Sequence, residues 1–282
     1  MKKTQIAYLA GVAALVGYLY LQPLKGPESS SSTHDNATEG KTTAAPAVTV
    51  TTESVSATAK AAIGGALSAQ IGTLEANLQK ASSETEKTNL QKQLAKQWDD
   101  VNQPAPAAFY YQAVARKEST FDNWMNAGNR FNEAYRFVQD STSAPAFATN
   151  AVEAFDAATK LNPESLDAKT GLGVAYVNGG GAPMQGIALL REVVAKDPKN
   201  ISANMSLGLF SMKSGQYDKA IQRFKTIVAI KPDFEAYFYL AESCKQIGQK
   251  QEAIAAYQKC KELMPDPSLG TRIDQYIKEL QN

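Results

Sequence analysis

The sequence predicts an all-α protein built from repeated pairs of helices, and three observations support this class. Pro163, Pro198, Pro232 and Pro265 recur at a nearly constant interval of about 34 residues. Each proline ends an amphipathic segment in which apolar residues recur at helical spacing. In three of the four units, a turn marked by glycine separates this segment from a second apolar segment upstream. Such a period is typical of helix–turn–helix units that stack into a solenoid.

The segments that end at the prolines share one pattern, in AVEAFDAATKLNP, GIALLREVVAKDP, AIQRFKTIVAIKP and AIAAYQKCKELMP. Each begins with a small residue and carries a large one four positions later, as in Ala220 and Phe224. Because residues four apart share one face of a helix, each pair is expected to contact a neighbouring helix. The upstream segments LDAKTGLGVAY, ISANMSLGLFS and FEAYFYLAESC each contain leucine followed by glycine or alanine, and this small residue lets two helices approach closely.

Together the two segments resemble the tetratricopeptide repeat, a helix–turn–helix unit of about 34 residues. The stretch that ends at Pro232 is the most regular, with Leu207, Gly208, Ala220 and Phe224 in register with the family pattern. The stretches that end at Pro198 and Pro265 follow the same pattern. The resemblance implies a right-handed solenoid that binds other proteins and is not an enzyme.

A fourth repeat begins at WMNAGNRF, where Trp124, Ala127, Gly128 and Phe131 occupy the aromatic, leucine, glycine and tyrosine positions. The small residue of its second helix is Ala151, so the interval from Gly128 is almost twice that in the most regular repeat. Compared with a unit of about 34 residues, this predicts an insertion of roughly 11 residues. We expect it to consist of a lengthened first helix and the loop DSTSAP. Arg130, between the packing positions, is expected to be solvated.

A fifth, degenerate repeat precedes these, because Leu94, Ala95, Trp98 and Ala107 keep the same mutual spacing. The predicted organisation is a signal anchor at 1–24, a flexible linker rich in Ser, Thr, Ala and Pro at 25–58, a lead helix at 59–82, the degenerate repeat at 84–119, the repeat with the insertion at 120–164, regular repeats at 165–198, 199–232 and 233–265, and a terminal capping helix at 266–282 with the apolar stripe Leu269, Ile273, Tyr276, Ile277 and Leu280.

The segment 1–24 predicts a single membrane-spanning anchor. Lys2 and Lys3 precede an apolar run from Ile6 to Leu21, which as a helix is roughly 24 Å long, a little less than a hydrocarbon core of about 30 Å. A cleaved secretory signal is the alternative, but the run ends without a small-x-small cleavage site. Lysines on the short side keep the N-terminus inside. In a bacterium, this predicts an inner-membrane protein whose repeats face the periplasm.

The lead helix carries a heptad seam at Leu67, Ile71, Leu74, Leu78 and Ala81. It has two interpretations. It covers the open end of the repeat stack, or it pairs with a second copy to form a homodimer in which the repeats serve as spacers. We favour the cover, because two heptads are short for a coiled coil.

Residue types needed for catalysis are scarce. The only histidine, His34, lies in a Ser/Thr-rich segment, and no Ser/His/Asp set, Cys/His pair or phosphate loop is present. The glycine run at 179–181 is the turn of a repeat, and Asp99 and Asp100 are interpreted as a solvated helix end. A net charge of +1 does not favour nucleic acid as a partner. We expect no enzyme activity, no cofactor and no metal.

Two cysteines, Cys244 and Cys260, lie on the two helices of one repeat. Both are expected to face the packed seam. Buried cysteines commonly act as small apolar residues, and in an oxidising compartment a pair across a hairpin can also form a disulfide. Both alternatives stay open at this stage.

The resemblance implies that the first helices line a concave groove, at positions three before, one after and four after the small residue. We expect this groove to bind a partner protein or peptide. Residues 201–212 are apolar on nearly every side, which indicates either a binding patch or cover by a neighbouring segment. The candidate groove residues are Met125, Asn129 and Asn132; Thr170, Val174 and Val177; Met205, Leu209 and Met212; and Phe238, Glu242 and Lys245.

Overall fold

A computed structural model of the chain describes residues 50–138, 140, 142–179, 181–263 and 267–281, and the side chains of these except at 267–269. The predicted anchor, and the linker up to residue 49, lie outside the described residues. In the described part the secondary structure is helical, with thirteen helices: α1 Thr52–Ala62, α2 Gly65–Lys80, α3 Glu84–Asp100, α4 Pro104–Lys117, α5 Phe121–Phe137, α6 Ala144–Leu161, α7 Leu166–Val177, α8 Pro183–Lys196, α9 Ile201–Lys213, α10 Tyr217–Ile230, α11 Phe234–Gln246, α12 Lys250–Leu263 and α13 Pro267–Gln281. Within these ranges, none of the helices has the length and hydropathy needed to span a bilayer.

Helices α3 to α12 form five hairpins that stack in chain order. In each hairpin the first helix packs against the second, and it also contacts the second helix of the preceding hairpin. First helices contact one another as well, α5 with α7, α7 with α9, and α9 with α11. Each hairpin is therefore covered mainly by its neighbours, which is the architecture of a helical solenoid.

The start of each first helix has a local cause in the sequence. The side chains of Ser83, Thr120, Ser165, Asn200 and Asp233 each accept a hydrogen bond from the backbone N–H three residues later. Such an N-cap satisfies one of the free donors at a helix start. Three of the second helices, α4, α6 and α8, have proline in their first turn, where its missing N–H costs nothing.

Glycines set the closest approaches between helices. A Cβ at Gly128 of α5 would lie 2.8 Å from the ring of Phe155, and one at Gly171 of α7 would lie 2.3 Å from it. The ring of Phe155, on α6, therefore fills the space that glycine leaves on both neighbours. At a second approach, a Cβ at Gly186 would lie 2.5 Å from the carbonyl oxygen of Gly173. Here the backbones of α7 and α8 are in direct contact.

The insertion after Gly128 lengthens both helices of its hairpin. Helix α5 has 17 residues against 13 in α9, and α6 has 18 residues against 14 in α10. The predicted loop at 140–145 is shorter than expected, because α6 already begins at Ala144. Phe147, in the added first turn of α6, is buried beside Phe109 and Phe131, so this turn is stabilised by packing.

The prediction that the linker extends to residue 58 is wrong, because α1 begins at Thr52. Thr51 and Ser54 form a capping box at its start. Val50 and Val55 pack against the cluster that contains Phe131, and Ala59 is buried. Burial against the solenoid supplies the stabilisation that a Ser/Thr/Ala-rich segment lacks in isolation.

The single lead helix at 59–82 is also incorrect, because the chain leaves helical geometry at Ile63 and Gly64 before α2 begins. Two adjacent glycines, Gly64 and Gly65, lower the helix propensity at this point. The carboxylate of Glu75 then joins α1 and α2 to the body. It accepts a hydrogen bond from Ser56, pairs with the ammonium of Lys60 at 2.6 Å, and accepts from the hydroxyl of Tyr110 on α4 at 3.2 Å.

The heptad seam of the lead segment faces the solenoid. Ile71 is fully buried, and Leu74 and Leu78 pack with it against Leu94 and Trp98 of α3. The seam therefore covers the first hairpin of the stack through Ile71, Leu74 and Leu78, whereas Leu67 is 39% exposed. This arrangement favours the cover over the alternative in which the seam pairs with a second copy.

Helix α13 covers the other end of the described stack. Ile273 and Leu280 are buried against α12 and its neighbours, and Tyr276 and Ile277 pack on the same cluster. The ring of Tyr276 lies 5.6 Å from that of Tyr257. Leu269, the first residue of the predicted stripe, lies outside the described side chains.

Candidate protein-interaction surface

The first helices α5, α7, α9 and α11 provide the inner face of the solenoid. Each of these helices contacts the next one in the set, although the second helix of a hairpin separates them in the sequence. Elements that approach more closely lie on the inside of a curved stack, so this face is concave. The groove residues predicted from the sequence are distributed over these four helices.

Eleven of the twelve predicted groove residues are at least partly accessible. The exception is Thr170, which is 5% exposed and whose hydroxyl donates a hydrogen bond to the carbonyl of Leu166. Its assignment to the groove is wrong. Next to it, the amide of Asn132 donates to the carbonyl of Gly171 at 3.1 Å, so α5 and α7 are in direct contact at this level.

The centre of the concave face is apolar. Met205, Leu209 and Met212 of α9 are half-buried and pack with one side against the core of α10 to α13. Val174 of α7 packs against the small cluster formed by α8 and α9. Neighbouring helices therefore cover part of the surplus apolar surface of α9, and the remainder is open to solvent.

Polar residues lie at the α5 end of this surface. Asn129 is exposed, and Asn132 is half-buried. The amide nitrogen of Asn132 is used by Gly171, whereas its side-chain oxygen is buried and has no hydrogen-bond partner within the described residues. A buried acceptor without a partner is costly. Met125, one helical turn before Asn129, packs against the clusters of α4 to α7.

The groove residues on α11 already contact side chains of α12 and α13, the last helices of the described stack. Phe238 stacks in an aromatic group with Phe234 and Tyr257. The hydroxyl of Tyr257 donates to the carboxylate of Glu242, and burial with this contact raises the pKa of Tyr257. The ammonium of Lys245 lies 5.3 Å from the ring centroid of Tyr276, a cation–π contact.

Arg130 is paired and only partly exposed to solvent, and Asp99 is not a free helix end. The Nε of Arg130 lies 2.8 Å from a carboxylate oxygen of Asp99, and Arg130 also pairs with Glu133. The hydroxyl of Tyr111 donates to Asp99 at 2.8 Å. Burial raises the pKa of Asp99 although Tyr111 and Arg130 oppose the shift. The group joins α3, α4 and α5 on the side of α5 away from the groove stripe.

Cys244 and Cys260 are free, fully buried thiols in the structure, which favours the alternative in which they act as small apolar residues. The thiol of Cys260 donates a weak hydrogen bond to the carbonyl of Phe234 at 3.6 Å. Burial raises the pKa of Cys260 to about 12 and also raises that of Cys244. Both thiols therefore stay protonated near neutral pH and act as small apolar residues.

The structure adds one pair to the concave side that the sequence analysis did not identify. The Nη2 of Arg136 on α5 lies 3.7 Å from a carboxylate oxygen of Glu235 on α11. The two residues are 99 positions apart. No local pattern indicates such a pair, because it depends on how far the stack curves.

Comparisons with known proteins agree with this geometry. Family models described as tetratricopeptide repeat match residues 148–201, 181–244 and 234–267. No curated protein sequence matches the chain.

Solved structures show the same fold. The tetratricopeptide-repeat protein TTC0263 of Thermus thermophilus is 20% identical, with a TM-score of 0.52 over 67% of this chain and 97% of that one. A tetratricopeptide repeat protein of Parabacteroides merdae is 18% identical, with a TM-score of 0.53 over 81% of this chain and 88% of that one. At these identities the likeness concerns the fold. The resemblance is thus confirmed: the chain contains tetratricopeptide repeats over residues 148–267, within a helical solenoid of the kind used for protein–protein interaction.

Proposed function

We propose that this protein is a non-catalytic, membrane-anchored adaptor that holds a segment of a partner protein on the concave face. The observation that carries the proposal is the half-open apolar surface of Met205, Leu209 and Met212 on α9. Apolar surface that is left accessible on a concave face favours a binding site. Methionine side chains adapt their shape to a partner at little cost.

The chemistry of the surface selects the kind of segment. Val174, Val177 and the α9 residues favour apolar side chains, and charged groups are absent from these positions. At the α5 end, the exposed amide of Asn129 suits a peptide backbone, whose N–H and C=O groups need partners. The proposed occupant is therefore an extended, mostly uncharged segment with apolar side chains.

The anchor is proposed from the sequence alone. Lys2, Lys3 and the apolar run from Ile6 to Leu21 would hold the chain in a bacterial inner membrane, with the repeats on the periplasmic side. The linker would then let the solenoid reach partners near the membrane surface.

Charged substitutions in the groove are expected to abolish partner capture. Met205→Lys and Leu209→Glu each place a charge where an apolar contact forms, and desolvating that charge is unfavourable. We expect a loss of tenfold or more in the proteins retained from solubilised membranes, on the order of 1.4 kcal/mol or more in binding free energy. Quantitative mass spectrometry of affinity-captured material measures this loss, and circular dichroism checks the helical fold.

Gln222 provides the matched controls, because it is exposed on the second helix α10, away from the concave face. Gln222→Lys and Gln222→Glu introduce the same charges and should retain the partners that the unchanged protein captures. If Met205→Lys and Leu209→Glu also retain them, the groove is not the binding site.

Deletion of residues 1–24 is expected to move the protein from the membrane pellet to the soluble fraction. An integral anchor keeps the full chain in the pellet after carbonate extraction, whereas salt and alkali release peripheral proteins. N-terminal sequencing of the mature protein distinguishes an anchor from a cleaved signal. Recovery of the full chain in the soluble fraction, or a mature N-terminus downstream of Leu21, would contradict the anchor.

A further inference from the structure

One ion pair spans the concave side between helices that are not neighbours in the stack. Arg136 lies near the C-terminal end of α5, and Glu235 lies in the first turn of α11. Their charged groups approach to 3.7 Å. Two complete first helices, α7 and α9, lie between them along the concave face. The contact therefore connects the two ends of the groove directly.

The added turn of α5 makes this contact geometrically accessible. Helix α5 ends nine residues beyond Gly128, whereas α9 ends five residues beyond the equivalent Gly208. Four further residues extend a helix by about 6 Å. The guanidinium is therefore carried past the ends of the regular first helices. In α7 and α9, no described helical residue occupies an equivalent position.

The α11 side of the pair rests on the aromatic lining of the groove. Tyr239, one turn after Glu235, stacks on Phe224 with ring centroids 5.7 Å apart and meets Phe238 edge-on at 5.7 Å. Burial raises the pKa of Tyr239, Glu235 raises it further, and Arg136 opposes the shift. Both charged groups of the pair thus lie beside the same phenol, on a surface that is held rigidly by ring contacts.

Between the two ends of the groove, the buried apolar core of the stack is smallest at one interface. Between α8 and α9, the buried apolar cluster contains only Leu190, Val193, Ala203 and Leu207, whereas the cores on either side are larger. Because each hairpin is supported by its neighbours, a small rotation at this interface changes the distance between α5 and α11. A contact between the ends therefore biases the curvature of the whole groove.

We infer that Arg136 and Glu235 form a clasp that closes the concave groove and that opens when ionic strength rises or one charge is reversed. Both side chains are substantially exposed, at 65% and 43%, so the attraction is weak and is screened by salt. A weak clasp suits a gate, because a partner can displace it. Where it is closed, the two side chains lie across the groove, and the proposed extended segment enters only after they part. This consequence rests on the proposed function; the clasp itself does not.

Distance measurements on the full chain test the clasp without any partner. Spin labels are attached at Phe137→Cys and Lys231→Cys, exposed positions beside the two ends of the pair. The native thiols Cys244 and Cys260 are fully buried, and the unsubstituted chain serves to show that they stay unlabelled. At low ionic strength we expect one narrow distance distribution. In about 1 M salt, where the Debye length is about 3 Å, it should broaden and shift to longer distances.

Charge reversal distinguishes the effect of this ion pair on the measured distance from the general effects of salt. Arg136→Glu should lengthen the distance at low ionic strength, because two carboxylates then face each other. The exchange Arg136→Glu with Glu235→Arg should restore the narrow distribution. Arg116→Glu is the matched control, since Arg116 pairs with Glu153 at 2.8 Å between α4 and α6 with similar exposure, and this change should leave the distance unaltered.

Two results would overturn the inference: an unchanged distribution in Arg136→Glu, or a double exchange that remains as open as the single variant. Neither result depends on partner capture, so the clasp can fail while the groove proposal stands. Conversely, loss of the groove proposal would leave the measured distances as they are.

Discussion

Replacing Phe155 with alanine is expected to lower the free energy of unfolding by about 3–5 kcal/mol. The ring is fully buried on α6 and fills the space beside Gly128 of α5 and Gly171 of α7. Alanine would leave a cavity between three helices of two successive hairpins, and neither glycine has a side chain that could fill it. Urea unfolding followed by circular dichroism measures the loss.

Phe137→Ala is the matched control, because Phe137 is 63% exposed. Its effect on the free energy of unfolding should stay within about 0.5 kcal/mol. Equal effects of the two phenylalanine substitutions would mean that Phe155 does not occupy the seam between the hairpins.

Gly186→Ala is expected to lower the free energy of unfolding by about 1–3 kcal/mol, although alanine favours helices. The added Cβ would lie 2.5 Å from the carbonyl oxygen of Gly173 and 2.6 Å from Val177. A backbone oxygen cannot rotate away as a side chain does, so α7 and α8 must separate. This strain exceeds the gain of roughly 1 kcal/mol from replacing a helical glycine.

The same substitution at Gly72 should have the opposite sign. Gly72 lies within α2, and no atom comes within 4 Å of a Cβ placed there. Gly72→Ala is therefore expected to stabilise the protein by roughly 1 kcal/mol through helix propensity. Thermal and urea unfolding of the two variants side by side test this contrast, and destabilisation by both would refute the assignment of strain to the α7–α8 contact.

The repeat architecture could be predicted because its causes are local. Pro163 to Pro265 recur at a nearly constant interval, and pairs such as Ala220 and Phe224 lie one helical turn apart. The close packing of Gly128 likewise followed from its place in the repeat pattern, and Phe155 fills the space beside it. The helix N-caps are equally local, since each involves residues three positions apart.

The candidate groove was predictable in outline but not in detail. The stripe of positions on the first helices selects side chains that are at least partly accessible in eleven of twelve cases, because helix periodicity determines which side chains share a face. Thr170 fails because its burial depends on how the neighbouring helices pack around α7, which one helix considered alone does not indicate. Whether the accessible residues bind a partner stays a prediction.

By itself, the sequence determined the helical hairpins, their order and the side of each helix that faces inward. Only the tertiary structure decided that α1 packs on the solenoid, that Arg130 pairs with Asp99, and that Arg136 meets Glu235. The physical reason is the range of the interactions. Helix formation, capping and face selection depend on residues a few positions apart. The meeting of charges 99 positions apart depends instead on the small rotations between successive hairpins, which add up along the stack.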